Sequence, residues 1–177
     1  MAPRRSCRRL RGKTLELSRY KLPNIELLQS SHARALSAAT RLFAFCDTKW
    51  TDFLLPGALA QLDEDILALA INLRRVLEAT GQKISNEITP HFHAYAGYSE
   101  GEYDRDLWRV LGRLVHHQNL EPTIIEDPEF YGPDERISGY MVTDMLVTSD
   151  HGKSRVDLAG LAFSAANELG IAYKNAK

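Results

Sequence analysis

The sequence predicts a mostly α protein, an antiparallel helical bundle with a small C-terminal β-hairpin and a closing helix. In long stretches of the 177-residue chain, apolar residues recur at spacings of three and four, the period of one helix face. A Leu-Pro-Gly connection at 55–57 separates the first two stretches, and strand-forming residues cluster at 139–148. With 44% hydrophobic and 25% charged residues, the composition is that of a globular protein.

The N-terminal segment differs from the rest of the chain in charge. Residues 1–21 hold eight Arg or Lys and one acidic residue, whereas residues 22–177 hold 14 basic and 22 acidic residues. We therefore expect a basic, flexible arm over 1–21 and a single helical domain over 22–177. The arm either contacts nucleic acid by releasing counterions or is a solvated terminus.

Two long helices are expected at the start of the domain. Asn24 is a good N-cap for a first helix over residues 24–49. The second helix follows the Leu-Pro-Gly connection and ends at Gly81, because glycine is favoured at a helix C-terminus. Since each helix has one apolar stripe and the connection is short, the two are expected to pack antiparallel.

The third predicted helix concentrates most of the possible chemistry. Ser99 and Glu102 fit a capping box, which predicts one amphipathic helix over residues 99–118. Its apolar face would hold Tyr103, Leu107, Val110, Leu111, Leu114 and Val115. Its basic face would hold Arg105, Arg109, Arg113, His116 and His117. Residues 82–98 lack a helical period and are predicted to be an aromatic loop before this helix.

The C-terminal part is predicted to hold a loop, a hairpin and a helix. Residues 119–138 contain three prolines and six acidic residues, which indicates an acidic, proline-rich loop that is either functional or laid over the surface. Residues 139–148 and 154–156 flank an Asp-His-Gly turn and are expected to pair as a hairpin. Asp157 then caps a closing helix that stops at Gly170.

Several classes of protein are disfavoured by what the sequence lacks. We expect no membrane span, because no run of 18 apolar residues exists, and no secretory signal. The two cysteines, Cys7 and Cys46, indicate a reducing compartment, so a cytoplasmic location is expected. The chain has no Gly-rich phosphate loop, nucleophile elbow or dinucleotide fingerprint, so we expect neither ATP-driven chemistry nor a cofactor.

Arg109 and His116 are the candidate catalytic residues. On a helix they lie within about 20° of each other and about 10 Å apart along the axis, with Gly112 between them on the same face. The missing glycine side chain lets a phosphate, a loop or a second helix approach. A guanidinium stabilises phosphorane charge and an imidazole transfers a proton near neutral pH, which suits metal-independent RNA cleavage.

The alternative is that this face is solvated and locally ion-paired. Glu102 and Asp106 stand three residues before Arg105 and Arg109, so that two of the arginines have nearby partners. Under the functional interpretation, the binding residues are Arg105, Arg113, His117 and Arg74. Arg74 belongs to this set if the end of the second helix faces the third helix, so that Arg74 or Arg75 meets His116 or His117. Otherwise Arg74 forms a surface pair with Glu78.

A histidine-ligated metal is a third possibility. Imidazole is a common ligand for zinc, copper and nickel, and a folded loop would bring His91 and His93 to either His116 or His117. No carboxylate or cysteine completes a known spacing, so we predict no metal site and expect loop histidines bonded to backbone or water. Cys46 lies in an apolar helical segment and is expected to be a packed side chain and not a nucleophile.

The second and third helices resemble a known family. The stretch Leu69-Ala-Ile-Asn-Leu-Arg-Arg-Val-Leu-Glu78, followed by Leu107-Trp-Arg-Val-Leu-Gly-Arg-Leu-Val-His-His117, resembles the HEPN superfamily of small helical domains over about residues 25–118. The resemblance implies a dimer and, in active members, a metal-independent ribonuclease of toxin, antiphage or RNA-processing systems. Its motif is an arginine and a histidine with four to six residues between them, and six residues separate Arg109 from His116. Arg109 and His116 match this spacing, whereas Val110 stands where the family usually has a polar residue.

Three functional hypotheses follow. By resemblance, the first is a HEPN-like RNA-associated protein in which Arg109 holds phosphate and His116 transfers protons, acting as a ribonuclease of a defence or toxin system. The second is a non-catalytic helical module that binds a protein or nucleic acid through its basic stripe or acidic loop. The third is a metal-dependent enzyme that uses His91, His93 and a helix histidine.

Overall fold

The computed structural model describes residues 25–91, 103–127 and 139–175. These residues form four helices and one three-stranded sheet, so the mostly α class is confirmed. The helices are α1 (Ile25–Cys46), α2 (Leu55–Thr80), α3 (Leu107–Val115) and α4 (Leu158–Asn175), and the strands are β1 (His117–Asp127), β2 (Gly139–Ser149) and β3 (Gly152–Asp157). Among the described helices, none is both long enough and apolar enough to cross a bilayer. The arm predicted at 1–21 lies outside the described residues.

The main core lies where α1 packs against α2 and α4. Near the end of α1, Arg41 bonds Asp65 in the first half of α2, with Nη2 and Oδ1 2.6 Å apart. Near the start of α1, Leu28 lines a cavity together with Val76 from the last turns of α2. The end of α1 therefore meets the first half of α2, and the start of α1 lies near the last turns of α2.

The C-terminal end of α2 follows the sequence signal, but the turn predicted at residues 55–57 is wrong, because α2 already begins at Leu55. Pro56 occupies the first turn, where the missing N–H of proline costs no hydrogen bond. Gly81 adopts φ 64° and donates its backbone N–H to the carbonyls of Glu78 and Leu77, so the predicted C-terminal stop is confirmed. α1 is shorter than predicted, because it ends at Cys46 and not at residue 49.

The third helix is much shorter than predicted over its described part. Residues 103–105 are extended, because Asp104 N–H donates to the carbonyl of Arg155 and the carbonyl of Arg105 accepts from Ile88 N–H. α3 therefore starts only at Leu107, and Asp106 caps it by accepting the backbone N–H of Arg109 at 3.0 Å. The proposed capping box at Ser99 and Glu102 lies outside the described residues.

The predicted loop at 119–138 is wrong for residues 119–127, which belong to β1. β1 begins at His117, where the third helix was expected to continue, and pairs antiparallel with β2. Pro122 is tolerated because β1 is an edge strand, where a missing N–H costs no ladder bond. Residues 128–138 of the predicted loop lie outside the described residues.

The predicted hairpin is confirmed by the pairing of β2 with β3. Ser149 pairs with Gly152 across a two-residue turn, and Gly152 has φ 103°, a backbone conformation that favours glycine. The buried Asp144 carboxylate on β2 bonds Arg155 on β3 at 2.6 Å and the Thr123 hydroxyl on β1 at 2.7 Å. This carboxylate therefore joins all three strands of the sheet.

α4 begins as predicted and ends later than predicted. The Asp157 side chain accepts the backbone N–H of Gly160 at 2.6 Å, which is an N-cap bond. The helix continues through Gly170 to Asn175. Ala172 is buried there, and packing against α1 outweighs the cost of one glycine, about 1 kcal/mol.

Candidate functional site

The candidate site lies on the solvent side of α3 and on the adjoining turn between β2 and β3. Four residues form what we call the α3 face, namely Trp108, Arg109, Gly112 and His116. The opposite side of the helix holds the buried Leu107, Val110, Leu111 and Leu114, as the amphipathic pattern predicts. Because these leucines and the valine anchor α3 to the core, the α3 face points outward in a fixed orientation.

Arg109 is held by Asp104, a carboxylate that the sequence argument did not select. Arg109 Nε lies 2.9 Å from Asp104 Oδ2, and Nη2 lies 2.5 Å from Oδ1. The partner predicted for this arginine, Asp106, instead caps the helix through the backbone. The Arg109 side chain is 53% exposed and that of Asp104 is 7% exposed, so the guanidinium stands at the surface on a buried support.

The pKa of Asp104 lies below its usual value, as expected for a carboxylate in this network. Burial raises this pKa, but hydrogen bonds from Arg109 and from the Ser154 hydroxyl, the latter at 2.6 Å, outweigh the effect of burial. The carboxylate is therefore charged at neutral pH. It neutralises part of the charge of Arg109 and fixes the direction of the guanidinium.

Arg113 is a bridge between α3 and the β2–β3 turn, and not an exposed binding residue. Its Nη1 donates to the carbonyl of Lys153 at 2.6 Å and also bonds the Ser154 hydroxyl. Its Nη2 donates to the carbonyl of His151 at 3.3 Å. With 16% of its side chain exposed, Arg113 contributes mainly by holding this turn against α3.

His116 lies at the C-terminal end of α3 beside a second imidazole. The ring centroids of His116 and His151 are 6.5 Å apart, with an interplanar angle of 87°. Both residues are exposed. The neighbouring His117 is half-buried, and its Nδ1 lies 2.6 Å from the carbonyl of Leu114, so Nδ1 is the donor nitrogen. Of these three histidines, His116 and His151 therefore present their rings together at the surface.

The structure places Arg109 and His116 at opposite ends of α3. The guanidinium of Arg109 turns back to Asp104, which precedes the helix, whereas the ring of His116 approaches His151. Arg109 lies in the first turn of α3, and His116 is its C-cap residue. A ligand that contacts both side chains must therefore lie along the α3 face.

Arg74 reaches α3, as the sequence allowed, and its partner there is Trp108. The guanidinium carbon of Arg74 lies 5.0 Å from the centroid of the Trp108 ring. A Cβ placed on Gly112 would lie 3.9 Å from Arg74 Nη1, so the glycine lies directly beside this contact. Arg74 also keeps its surface pair with Glu78, with Nη2 and Oε1 3.3 Å apart. At Gly112, α2 therefore approaches α3 through one side chain, that of Arg74.

Arg105 and Arg109 line an open, largely polar cavity of about 930 Å³. Its other wall is formed by residues 84–87, which include Ser85 and Asn86. Acidic residues from both walls, Glu87 and Asp106, also line it. The cavity is therefore lined by both cationic and anionic groups, and it is not a pocket for anionic ligands alone.

The residues proposed for a metal site are not brought together within the described part of the chain. No group of three or more His, Cys, Asp or Glu side chains with ligand geometry occurs among residues 25–91, 103–127 and 139–175. The ring of His91 packs edge-on against Phe163 at 5.9 Å, and His93 lies outside the described residues. Burial raises the pKa of the Cys46 thiol, which keeps it protonated and unsuited to nucleophilic attack.

Three residues of the site were missed by the sequence argument, namely Asp104, Trp108 and His151. His151 was assigned only to a turn, and Trp108 only to a helix. The sequence does contain a signal for Trp108, because an aromatic residue beside arginines on a basic helix is typical of a surface that binds nucleic acid. The contacts of Asp104 with Ser154 and of His151 with His116 join distant parts of the chain, and periodicity contains no information about them.

The fold and the site define a mostly α domain in which a short helix presents arginine, histidine and tryptophan beside a small antiparallel sheet. No protein-family model matches the chain, and no curated protein or solved structure matches it significantly.

Proposed function

We propose that this chain is a HEPN-like RNA-associated protein that binds RNA along the α3 face. The observation that carries the proposal is the exposed, pre-oriented guanidinium of Arg109. Its Nε and Nη2 are used by Asp104, and among the described residues its Nη1 has no hydrogen-bond partner. An arginine whose direction is already fixed loses less side-chain entropy when it binds a phosphate.

Other cations extend this surface in both directions. Arg74 and Arg75 stand on the adjoining part of α2, and Lys153 is exposed on the β2–β3 turn. RNA binding by such a surface depends on releasing counterions from phosphates, so affinity falls as the salt concentration rises. The antiparallel bundle arrangement and the homodimer implied by the resemblance belong to the same proposal, and light scattering of the purified chain tests the dimer.

RNA binding is tested by fluorescence anisotropy of a labelled RNA at several salt concentrations. We expect Arg109→Gln to weaken binding about fivefold or more and to reduce the salt slope by about 1. Arg34→Gln is the matched control, because Arg34 is exposed on α1 and carries the same charge. Absence of binding by the wild type, or equal losses in the two variants, would contradict the proposal.

A second candidate function, metal-independent RNA cleavage, is favoured by the His116–His151 pair. One imidazole would take the proton of the ribose 2′-hydroxyl as its oxygen attacks phosphorus, and the other would protonate the departing 5′-oxygen. The products would be a 2′,3′-cyclic phosphate and a 5′-hydroxyl. Arg109, which the resemblance assigns to the phosphate, would contact the RNA further along the α3 face.

Cleavage is tested with a labelled RNA in the presence of EDTA. We expect a bell-shaped pH dependence in the wild type, because one imidazole must be neutral and the other protonated. His116→Asn and His151→Asn should each lower the rate about 100-fold or more, whereas Gln118→Ala, a change beside the same turn, should not. The candidate fails if EDTA abolishes cleavage or if both histidine variants keep the wild-type rate.

A further inference from the structure

Trp108 is a large, partly exposed aromatic residue that lies among charged groups. It is 42% exposed on α3, with Arg109 following it in the chain and Arg74 stacked on its ring. The protein's other tryptophan, Trp50, is placed differently, since its indole N–H donates to the carbonyl of Phe45 at 3.2 Å and its ring packs on Phe45. Among the described residues, the indole N–H of Trp108 has no hydrogen-bond partner.

The contact between Arg74 and Trp108 is built by two helices. α2 supplies the guanidinium, which is partly held by Glu78 at 3.3 Å, and α3 supplies the ring. Gly112, one turn after Trp108, leaves space for Arg74 beside the ring. One ring face therefore lies under a cation, while 42% of the residue's surface stays accessible to solvent. A guanidinium on one face leaves the other face for a second planar group.

A nucleobase is the planar group that suits this position best. Bases stack on aromatic side chains whatever their sequence, and the neighbouring Arg109 provides a cation for the phosphate of the same strand. In an RNA duplex the bases are stacked inside the helix and offer no free face, so only an unpaired base can reach the indole.

We infer that Trp108 is a stacking platform for an unpaired base, so that the nucleic acid bound on the α3 face is single-stranded. This inference rests on the proposed RNA binding and specifies the structural class of the RNA. Arg74 is a positioning residue in it, because it acts on the base through the indole ring. The ligand chemistry is a planar base carried on a phosphodiester strand.

The experiment compares three probes of equal length, about 12 nucleotides. They are a single-stranded RNA, the same RNA paired with its complement, and an abasic ribose-phosphate strand that keeps the charges and lacks the bases. We expect the wild type to bind the single strand about tenfold more tightly than the abasic strand. Quenching of tryptophan fluorescence should accompany binding and should disappear in Trp108→Ala, because Trp50 is engaged inside the protein.

The variants separate stacking from charge and from folding. Trp108→Ala should lower affinity for the single strand about tenfold and leave affinity for the abasic strand unchanged. Trp108→Phe, which keeps an aromatic ring, should restore most of the affinity. Phe163→Ala is the matched control, since Phe163 is an aromatic residue of α4 that is 52% exposed. Arg74→Met should weaken binding to the single strand more than Arg75→Met, which removes an equal charge without touching the indole.

The outcomes distinguish this inference from the proposal on which it rests. If the single strand and the abasic strand bind equally and Trp108→Ala binds both as the wild type does, stacking is overturned while RNA binding stands. Tighter binding of the duplex than of the single strand likewise overturns stacking alone. If none of the three probes binds, the proposed RNA binding fails and the stacking inference falls with it.

Discussion

Glu168 is a carboxylate on α4 that is 0% exposed, and its hydrogen-bond donors among the described residues are all uncharged. The Gln82 side chain donates at 2.6 Å, and the backbone N–H groups of Ser85 and Asn86 each donate at 2.8 Å. Burial raises the pKa of Glu168, but these bonds outweigh it and hold the pKa below its usual value. The charged form therefore anchors residues 82–86 to α4.

Replacing Glu168 by Gln should destabilise the protein by about 3 kcal/mol at pH 7, because charge-assisted bonds are lost and an amide donor then faces donors. Since the folded pKa lies below the unfolded value, about 4.3, the stabilisation by Glu168 is fully present at neutral pH. It is lost as the pH falls through the folded pKa. Urea unfolding at several pH values measures both effects.

The difference in free energy of unfolding between wild type and Glu168→Gln should therefore shrink on acidification. Glu87→Gln is the control, because Glu87 is an exposed residue of the same segment. A difference between wild type and Glu168→Gln that stays constant down to pH 3 would show that the carboxylate charge is not what anchors the segment.

At the scale of elements, α3 shows how tertiary contacts override a helical pattern. Tyr103 is buried, as the amphipathic pattern predicts, but it lies in an extended segment that pairs with β3. Asp106 supplies the cap, and the helix starts at the next residue, Leu107. The pattern predicts which side of the segment is buried, whereas the hydrogen bonds to Arg155 and Ile88 decide where the helix begins.

Gly112→Ala should stabilise the protein by about 0.5–1 kcal/mol, because alanine favours the interior of a helix. The added Cβ would be at ordinary contact distance, 3.9 Å, from Arg74 Nη1. Gly170→Ala is a matched control on α4, where the added Cβ meets no atom within 4 Å. Thermal or urea unfolding compares the two, and a destabilised Gly112→Ala variant would mean that Arg74 needs the open space.

At the scale of the whole molecule, residues 82–91 are docked along one side of α4 although they form no regular structure. Asp157 accepts the backbone N–H of His91 at 2.9 Å, and the Ser164 hydroxyl donates to the carbonyl of Glu87 at 2.9 Å. Asp157 is the N-cap of α4, and Ser164 and Glu168 follow on the helix at helical spacing. Their hydrogen bonds fix the position of residues 84–87, which form the cavity wall opposite Arg105 and Arg109.

Gly160→Ala should weaken this docking strongly. A Cβ on Gly160 would overlap the backbone carbonyl oxygen of Thr89, and a backbone atom cannot move away as a flexible side chain can. We expect a loss of about 3 kcal/mol in the free energy of unfolding. Hydrogen exchange should show faster exchange at residues 82–91, and the Gly170→Ala variant should show neither effect.

The sequence by itself determined the mostly α class, the C-terminal end of α2, the β2–β3 hairpin and the cap of α4. These features depend on apolar periodicity and on residues such as Gly81 and Asp157, whose influence is local. It also predicted Arg109 and His116 two turns apart on one helix, whereas α3 ends at Val115 and His116 is its C-cap residue.

Only the tertiary structure decided which partners these residues have. β1 exists because β2 offers a pairing edge to a segment whose proline and acidic residues alone favoured a loop. The contacts between Arg74 and Trp108 and between His116 and His151 join separate elements, and so does the bond from Ser154 to Asp104. Such contacts depend on how the elements pack, which is why the chemistry of the α3 face emerges only in the folded chain.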